Sequence, residues 1–265
     1  MKDSHSFDPG SNPGTSTLLS TIVRTHDFPS TSLLIRRDYK SKPLGNSVKE
    51  TKKLGRFEKL SRDVLISTSK MLKDAKNELF DGIHGRVLEV GAGIGVNVYF
   101  FNRPEISHWV AVEPDRKLVD ECHKMVAEMG DRVTVFQGYL HELEEPPESF
   151  DYVVFTTLLC SVPDPDKIVK EAHRFLKPGG KLCVIEHIGD SFGLRAGFQM
   201  LAKYPWRFAT GCNCRNNPIP ALSQPGFWQD VDGKVVLKPA PLRTKRFSPL
   251  LELIKPFVMT SLTKK

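Results

Sequence analysis

No stretch of this 265-residue chain approaches the roughly 18 consecutive apolar residues that a bilayer-spanning helix requires. The longest apolar runs, such as Tyr152–Phe155, are the size of a β-strand. Leu18–Val23 and Leu33–Ile35 are too short and too far from Met1 to form a secretory signal. Cysteine is scarce. Cys122, Cys160, Cys183, Cys212 and Cys214 are odd in number and lack the spacing of a secreted disulfide framework, which points to a reducing, cytoplasmic compartment. Cys212-x-Cys214 has neither a second cysteine pair nor a histidine at finger spacing, so no metal site is expected. No internal repeat is present.

An excess of positive charge is missing from the middle of the chain. The formal net charge is +7, yet residues 1–53 carry +4 (nine Lys/Arg, five Asp/Glu) and residues 231–265 carry +6 (eight against two), leaving −3 for 54–230. A nucleic-acid enzyme usually surrounds its cleft with cations, so nucleic acid is not an expected partner. The basic ends read either as a solvated surface or as a peripheral contact with an acidic membrane or partner. Residues 1–50 are rich in Ser, Thr, Pro and Gly without a sustained period, and 1–53 is expected to be a flexible extension.

What is present is an alternation of helices and strands. Phe57, Leu60, Val64, Met71, Ala75 and Leu79 recur every three to four residues apart from one gap, giving an amphipathic helix over 57–80 that Asp81-Gly82 ends. Strands are expected at about 86–91, 108–113, 132–137, 150–156 and 181–187, with helices at 94–102, 115–129 and 166–176 between them. Lys177-Pro-Gly-Gly180 is the expected turn into the fifth strand. A helix over 191–210 and two β-runs, Lys234–Leu237 and Phe257–Leu262, follow. Such alternation argues for a mostly parallel sheet.

The densest chemical signal is Arg86-Val-Leu-Glu-Val-Gly-Ala-Gly-Ile-Gly95. An apolar β-run enters a turn with Gly91, Gly93 and Gly95, where the lack of Cβ lets the backbone turn sharply and approach a ligand. The dinucleotide fingerprint G-x-G-x-x-G is not met, because position 96 is Val. A second β-run, His108–Glu113, ends in an acid suited to the two hydroxyls of a ribose. This geometry serves NAD and S-adenosylmethionine alike, and the missing glycine favours the second.

Glu89-x-Gly-x-Gly-x-Gly95, Glu113-Pro-Asp115, Ser149-Phe-Asp-Tyr-Val-Val154 and Leu176-Lys-Pro-Gly-Gly180 resemble the successive motifs of class I S-adenosylmethionine-dependent methyltransferases, in the right order within 86–188. Asn97, Thr157–Val162, Glu186-His187 and Gly211-Cys-Asn213 are similar to the animal methyltransferase-like group that includes alkyl thiol S-methyltransferases. The N-terminal apolar segment that typically holds that group on membranes has no counterpart in this sequence. The resemblance implies an α/β, Rossmann-like fold over 54–265, with a mostly parallel seven-stranded sheet, helices on both faces and a C-terminal antiparallel hairpin.

It also implies S-adenosylmethionine as cofactor and assigns residues to it. Gly91, Gly93, Gly95 and Asn97 wrap the amino-acid and ribose part, Glu89 orients the ammonium end, and Glu113 with Pro114 takes the ribose. Tyr139 and Leu140 meet adenine, while Thr156 and Leu158 lie beside the methionine portion. The Asn/Asp-Pro-Pro-Tyr signature of many base and amine methyltransferases is absent after the fourth strand, which favours a small-molecule acceptor. His187 is the candidate general base, and a polar residue that only shapes the pocket is the equal alternative. Tyr204, Trp206, Phe208, Phe227 and Trp228 either line an apolar acceptor pocket or fill a core. A quinone or lipid acceptor and a non-catalytic cofactor-binding scaffold are the competing readings.

Overall fold

The computed structural model describes residues 56–189, 193–210, 212–213, 215–229, 235–243 and 256–265, all within the unit Lys40–Lys265. The extension expected over 1–53 lies outside the described residues. The elements run α1 (Arg56–Met71), α2 (Lys73–Leu79), β1 (Gly85–Val90), α3 (Val98–Phe101), β2 (Ile106–Glu113), α4 (Arg116–Val126), β3 (Val133–Gln137), β4 (Phe150–Thr156), α5 (Pro165–Phe175), β5 (Leu176–His187), α6 (Gly193–Thr210), α7 (Ile219–Leu222), β6 (Lys238–Pro239) and β7 (Phe257–Thr263).

The strands form one seven-stranded sheet in the order β3-β2-β1-β4-β5-β7-β6. β1 through β5 pair in parallel, and β7 runs antiparallel beside β5 and β6. The sequence pattern dictates this layering. Alternate residues of a strand face opposite sides of a sheet. Val87, Trp109, Ala111, Val154 and Cys183 pack with Val98 and Phe101 of α3 and Cys122 and Val126 of α4. Their neighbours Leu88, Val110, Val153, Leu182 and Val184 pack with Val169, Ala172 and Phe175 of α5 and with α7. Met71, Leu72 and Ala75 close a third cluster against Ile185, Phe257 and Met259. None of the described helices is long and apolar enough to cross a membrane.

Four expectations are corrected. The helix expected over 57–80 bends at Leu72, although backbone hydrogen bonds from Leu72 to Thr68 and from Lys76 to Leu72 run through the bend. The helix expected over 94–102 shrinks to Val98–Phe101, because Gly91, Gly93 and Gly95 all take positive φ and consume the preceding residues in the turn. Lys177–Gly180 is not a turn ahead of β5 but an excursion inside it: β4 pairs Phe150 with Leu176 and then Tyr152 with Lys181. The hairpin strand expected at Lys234–Leu237 is found at Lys238–Pro239, and residues 230–234 lie outside the described residues. Pro239 is compatible with that place, since β6 is the sheet edge and needs no donor on its outer side.

Candidate active site

The carboxyl ends of β1, β2, β4 and β5 meet at the edge of the sheet where open α/β folds bind their ligands. The glycine turn leaves β1 there. Gly91 has φ of +73°, and a Cβ on it would meet Leu158 Cδ1 at 2.7 Å. Gly95 has φ of +76° and faces away from the edge: its Cβ would meet Cys122 Sγ at 2.8 Å, so helix packing fixes this glycine. Gly93 alone of the three has room, its nearest neighbour being Leu65 at 3.7 Å. Its N–H donates to Glu113 Oε2 at 2.9 Å, and the Asp115 N–H donates to Oε1 at 3.0 Å. Glu113 thereby ties the end of β2 to the turn after β1. Burial raises its carboxyl above the ordinary value, and the two N–H groups temper the rise.

Glu89 is buried in β1, with Asn97 Nδ2 donating to its Oε1 at 2.5 Å and to Thr156 Oγ1 at 3.3 Å. Burial raises Glu89 strongly, with the Lys76 ammonium opposing it. Lys76 is itself almost fully buried, and burial lowers it while Glu89 pulls it back up. Its Nζ donates to Ser69 Oγ at 3.0 Å. The sequence reading missed Lys76. The available signal was a lysine on the apolar face of an amphipathic helix, four residues after Leu72.

The tips of β4 and β5 form the other half of the edge. Thr157 has φ of +54°, rare for a β-branched residue and a mark of backbone held in place by its surroundings. Glu186, buried on β5, accepts from the N–H groups of Leu158 and Leu159 at 2.6 and 2.7 Å and so pins the turn after β4. Burial pushes Glu186 up to about 7 despite these bonds. His187 is 2% exposed. Its Nε2 lies 2.6 Å from Cys212 Sγ, and Cys160 belongs to the same cluster. Burial lowers the His187 imidazole, but the Cys160 thiol and Glu186 carboxyl together hold it above its ordinary value.

The structure therefore gathers Glu89, Gly91, Gly93, Asn97, Glu113, Thr156 and Leu158 and leaves others aside. Pro114 is exposed beside Glu113. Tyr139 is 60% exposed and stacks on His141, whereas the Leu140 side chain belongs to the core, so only its backbone could face adenine. Of the aromatic set, Trp228 is a core residue whose Nε1 donates to the Leu222 carbonyl, and Phe227 stacks on His173. Tyr204 is exposed, and the side chains of Trp206 and Phe208 lie outside the described residues.

Residues 88–184 match the methyltransferase domain family. Over that segment the chain is similar to methyltransferases, and the match covers less than half of its length. The chain is 34% identical over 130 residues to a phosphatidylethanolamine N-methyltransferase of Cereibacter sphaeroides, covering 45% of this chain and 60% of that protein. It is 34% identical over 140 residues to a thiol S-methyltransferase of Mus musculus, covering 48% and 56%. The similarity thus spans less than two thirds of either relative. A solved S-adenosylmethionine-dependent methyltransferase from Thermotoga maritima shares the fold, with a TM-score of 0.53 at 22% identity over 79% of this chain and 97% of that one.

The edge fits that cofactor in charge and in hydrogen bonding. Three buried carboxyls stand at the ends of β1, β2 and β5. Glu89 Oε2, Asn97 Oδ1 and Glu186 Oε2 are buried acceptors without a partner. Buried polar atoms are ordinarily satisfied, and a cationic ligand rich in donors satisfies acceptors.

Proposed function

We propose that the protein transfers the methyl group of S-adenosylmethionine to an apolar small molecule carrying a nucleophilic sulfur, an alkyl thiol by class. The observation that carries the cofactor half is the set of buried carboxyls, Glu89, Glu113 and Glu186, around the glycine turn. When bound, S-adenosylmethionine supplies a methyl group already activated on a cationic sulfonium. The protein's part is positioning and exclusion of water. Glu113, held by Gly93 and Asp115, keeps lone pairs for the ribose hydroxyls. Glu89 and Asn97 take the ammonium end, with Gly91 and Gly93 giving the backbone close approach. Thr156 and Leu158 flank the methionine portion, while Pro114 and Tyr139 border the ribose and adenine. A dinucleotide would instead bring phosphate charges against three buried acids.

The acceptor half rests on the mouse thiol S-methyltransferase relative and on surface chemistry. Leu194, Leu201 and Tyr204 are 86%, 76% and 74% exposed along α6, seven and three residues apart on one helical face, an exposed apolar surface on the helix that follows β5 in the chain. The general-base role expected of His187 is set aside, because its Nε2 is engaged with Cys212 and its ring is buried. The test is calorimetry of S-adenosylmethionine and NAD, followed by labelled methyl transfer to alkyl thiols, quinones and phospholipids. Cofactor binding with transfer to thiols is expected. Transfer to phospholipid or quinone alone would overturn the acceptor class, and binding without transfer to any acceptor would favour a scaffold.

A further inference from the structure

Cys160, His187 and Cys212 are far apart in the chain, yet each contributes a ligand-type atom to one cluster in which these atoms lie within 4.8 Å of one another. Cys160 comes from the turn after β4, His187 from the end of β5, and Cys212 from the segment after α6. Cys160 and His187 are buried and Cys212 is half-buried. The turn that carries Cys160 is pinned on both sides. Glu186 holds the N–H groups of Leu158 and Leu159, and the Cys160 carbonyl accepts from the Asn213 N–H at 3.0 Å and from Asn216 Nδ2 at 3.0 Å. The neighbours of Cys212 are thus fastened directly to the Cys160 backbone. The sequence spacing matches no finger motif, which is why the cluster is invisible before folding.

The geometry points to a zinc site formed by Cys160 Sγ, His187 Nε2 and Cys212 Sγ. Two thiolates and an imidazole are the soft donor set that selects zinc over magnesium or calcium, which take oxygen ligands. Bonds of about 2.3 Å to sulfur and 2.1 Å to nitrogen place tetrahedral ligand atoms roughly 3.6 Å apart, a spacing the cluster's 4.8 Å span admits. The 2.6 Å contact between His187 Nε2 and Cys212 Sγ is shorter than a thiol–imidazole hydrogen bond needs, and a cation between the two opens it while bonding both. Among the described residues no fourth Cys, His, Asp or Glu joins the cluster, so the remaining position falls to water. Three protein ligands and a water are the arrangement of an open zinc site rather than a closed structural one. This inference stands apart from the choice of methyl acceptor.

The test uses the full chain purified under reducing conditions without chelator. Plasma mass spectrometry should find one zinc per chain. Cobalt(II) added to the chelator-stripped protein should give sulfur-to-cobalt charge-transfer bands in the near ultraviolet and tetrahedral bands in the visible. Cys212→Ser and Cys160→Ala should each weaken metal affinity by about 100-fold or more. Calorimetric binding of S-adenosylmethionine checks that each variant is folded, and also separates failure of this inference from failure of the cofactor assignment. The site is overturned if reduced wild-type protein carries no zinc and takes up cobalt without thiolate bands. It is equally overturned if both folded variants keep wild-type metal affinity, or if mass spectrometry finds a Cys160–Cys212 disulfide in place of metal.

Discussion

The two ends of the parallel strands treat their carboxylates in opposite ways. At the amino ends, Asp151 accepts from the Arg86 N–H at 2.8 Å and from Lys177 Nζ at 2.7 Å. Burial alone would raise it, but Lys177 and the Arg86 N–H together hold it below its ordinary value. Arg86 also pairs with Glu145 at 3.0 Å, and Lys264 with Glu148 at 3.1 Å. At the carboxyl ends, Glu89, Glu113 and Glu186 are buried and raised, and two of them keep an oxygen without a partner. One edge is electrostatically finished by the chain itself. The other keeps buried acceptors without a partner even with the Lys76 ammonium beside Glu89, and that asymmetry supports the proposed place of the ligand.

The largest effect that would break this comparison is expected at Glu89. Glu89→Gln removes the charge that faces Lys76 and leaves a buried ammonium uncompensated, a loss of about 3–5 kcal/mol in denaturant unfolding. Adding Lys76→Met should restore most of it. If Glu89→Gln is neutral, the two groups are not a coupled pair. Next comes Glu113→Ala, which should weaken S-adenosylmethionine by about 1–3 kcal/mol, or roughly 5- to 150-fold. Unchanged affinity in that variant would move the ribose elsewhere.

Asp151→Asn, at the finished edge, should cost about 1 kcal/mol of stability or less and leave cofactor affinity untouched, because its ion pair is partly exposed. A loss of cofactor affinity there would erase the distinction between the edges. The smallest effects are those of pH on the ligand-free protein. Glu186, pushed from 4.5 to about 7, retains in the folded chain a proton that the unfolded chain has lost. Stability from this group therefore falls as pH rises from about 4.5 to about 7, and Glu186→Gln should flatten that decline. Asp151, held below its ordinary 3.8, has the opposite sign: its contribution is present above that value and is lost as pH falls through the folded value. Parallel pH profiles for wild type and both variants would contradict the two directions.

The strands β1 through β5 were legible because buried parallel strands read as short, continuous apolar runs bounded by turns, and each is found within about two residues of its expected position except at the start of β5, which begins five residues early at Leu176. The pair Lys238–Pro239 was not, since two residues carry no period and only β7 makes them a strand. In the site, Glu89, the glycines and Glu113 were readable because the chemistry is local: one strand, one turn and the end of the next strand. Lys76 was hidden because a lysine on an apolar stripe reads as a surface residue until its helix packs against β5 and β7. Cys160, His187 and Cys212 were read separately, as part of the Thr157–Val162 motif, as a base or a pocket-shaping residue, and as half of a Cys-x-Cys pair without finger spacing. Only the sheet order brings the tips of β4 and β5 together, and only the return of the chain after α6 adds Cys212. Gly95 was assigned to the ligand with its neighbours, whereas Cys122 and Val126 of α4 account for it.

The most direct test of the unfinished edge is calorimetric titration of S-adenosylmethionine at pH 6.5, in two buffers of different protonation enthalpy. At this pH an α-amino group, with an ordinary pKa of about 7.7–8.0, is already protonated, while Glu186, pushed up to about 7, still holds most of its proton. A cation brought to this edge favours the ionised form of Glu186, so the account predicts one bound cofactor with net release of protons into the buffer. Failure to bind, or binding whose heat is independent of the buffer, would contradict it.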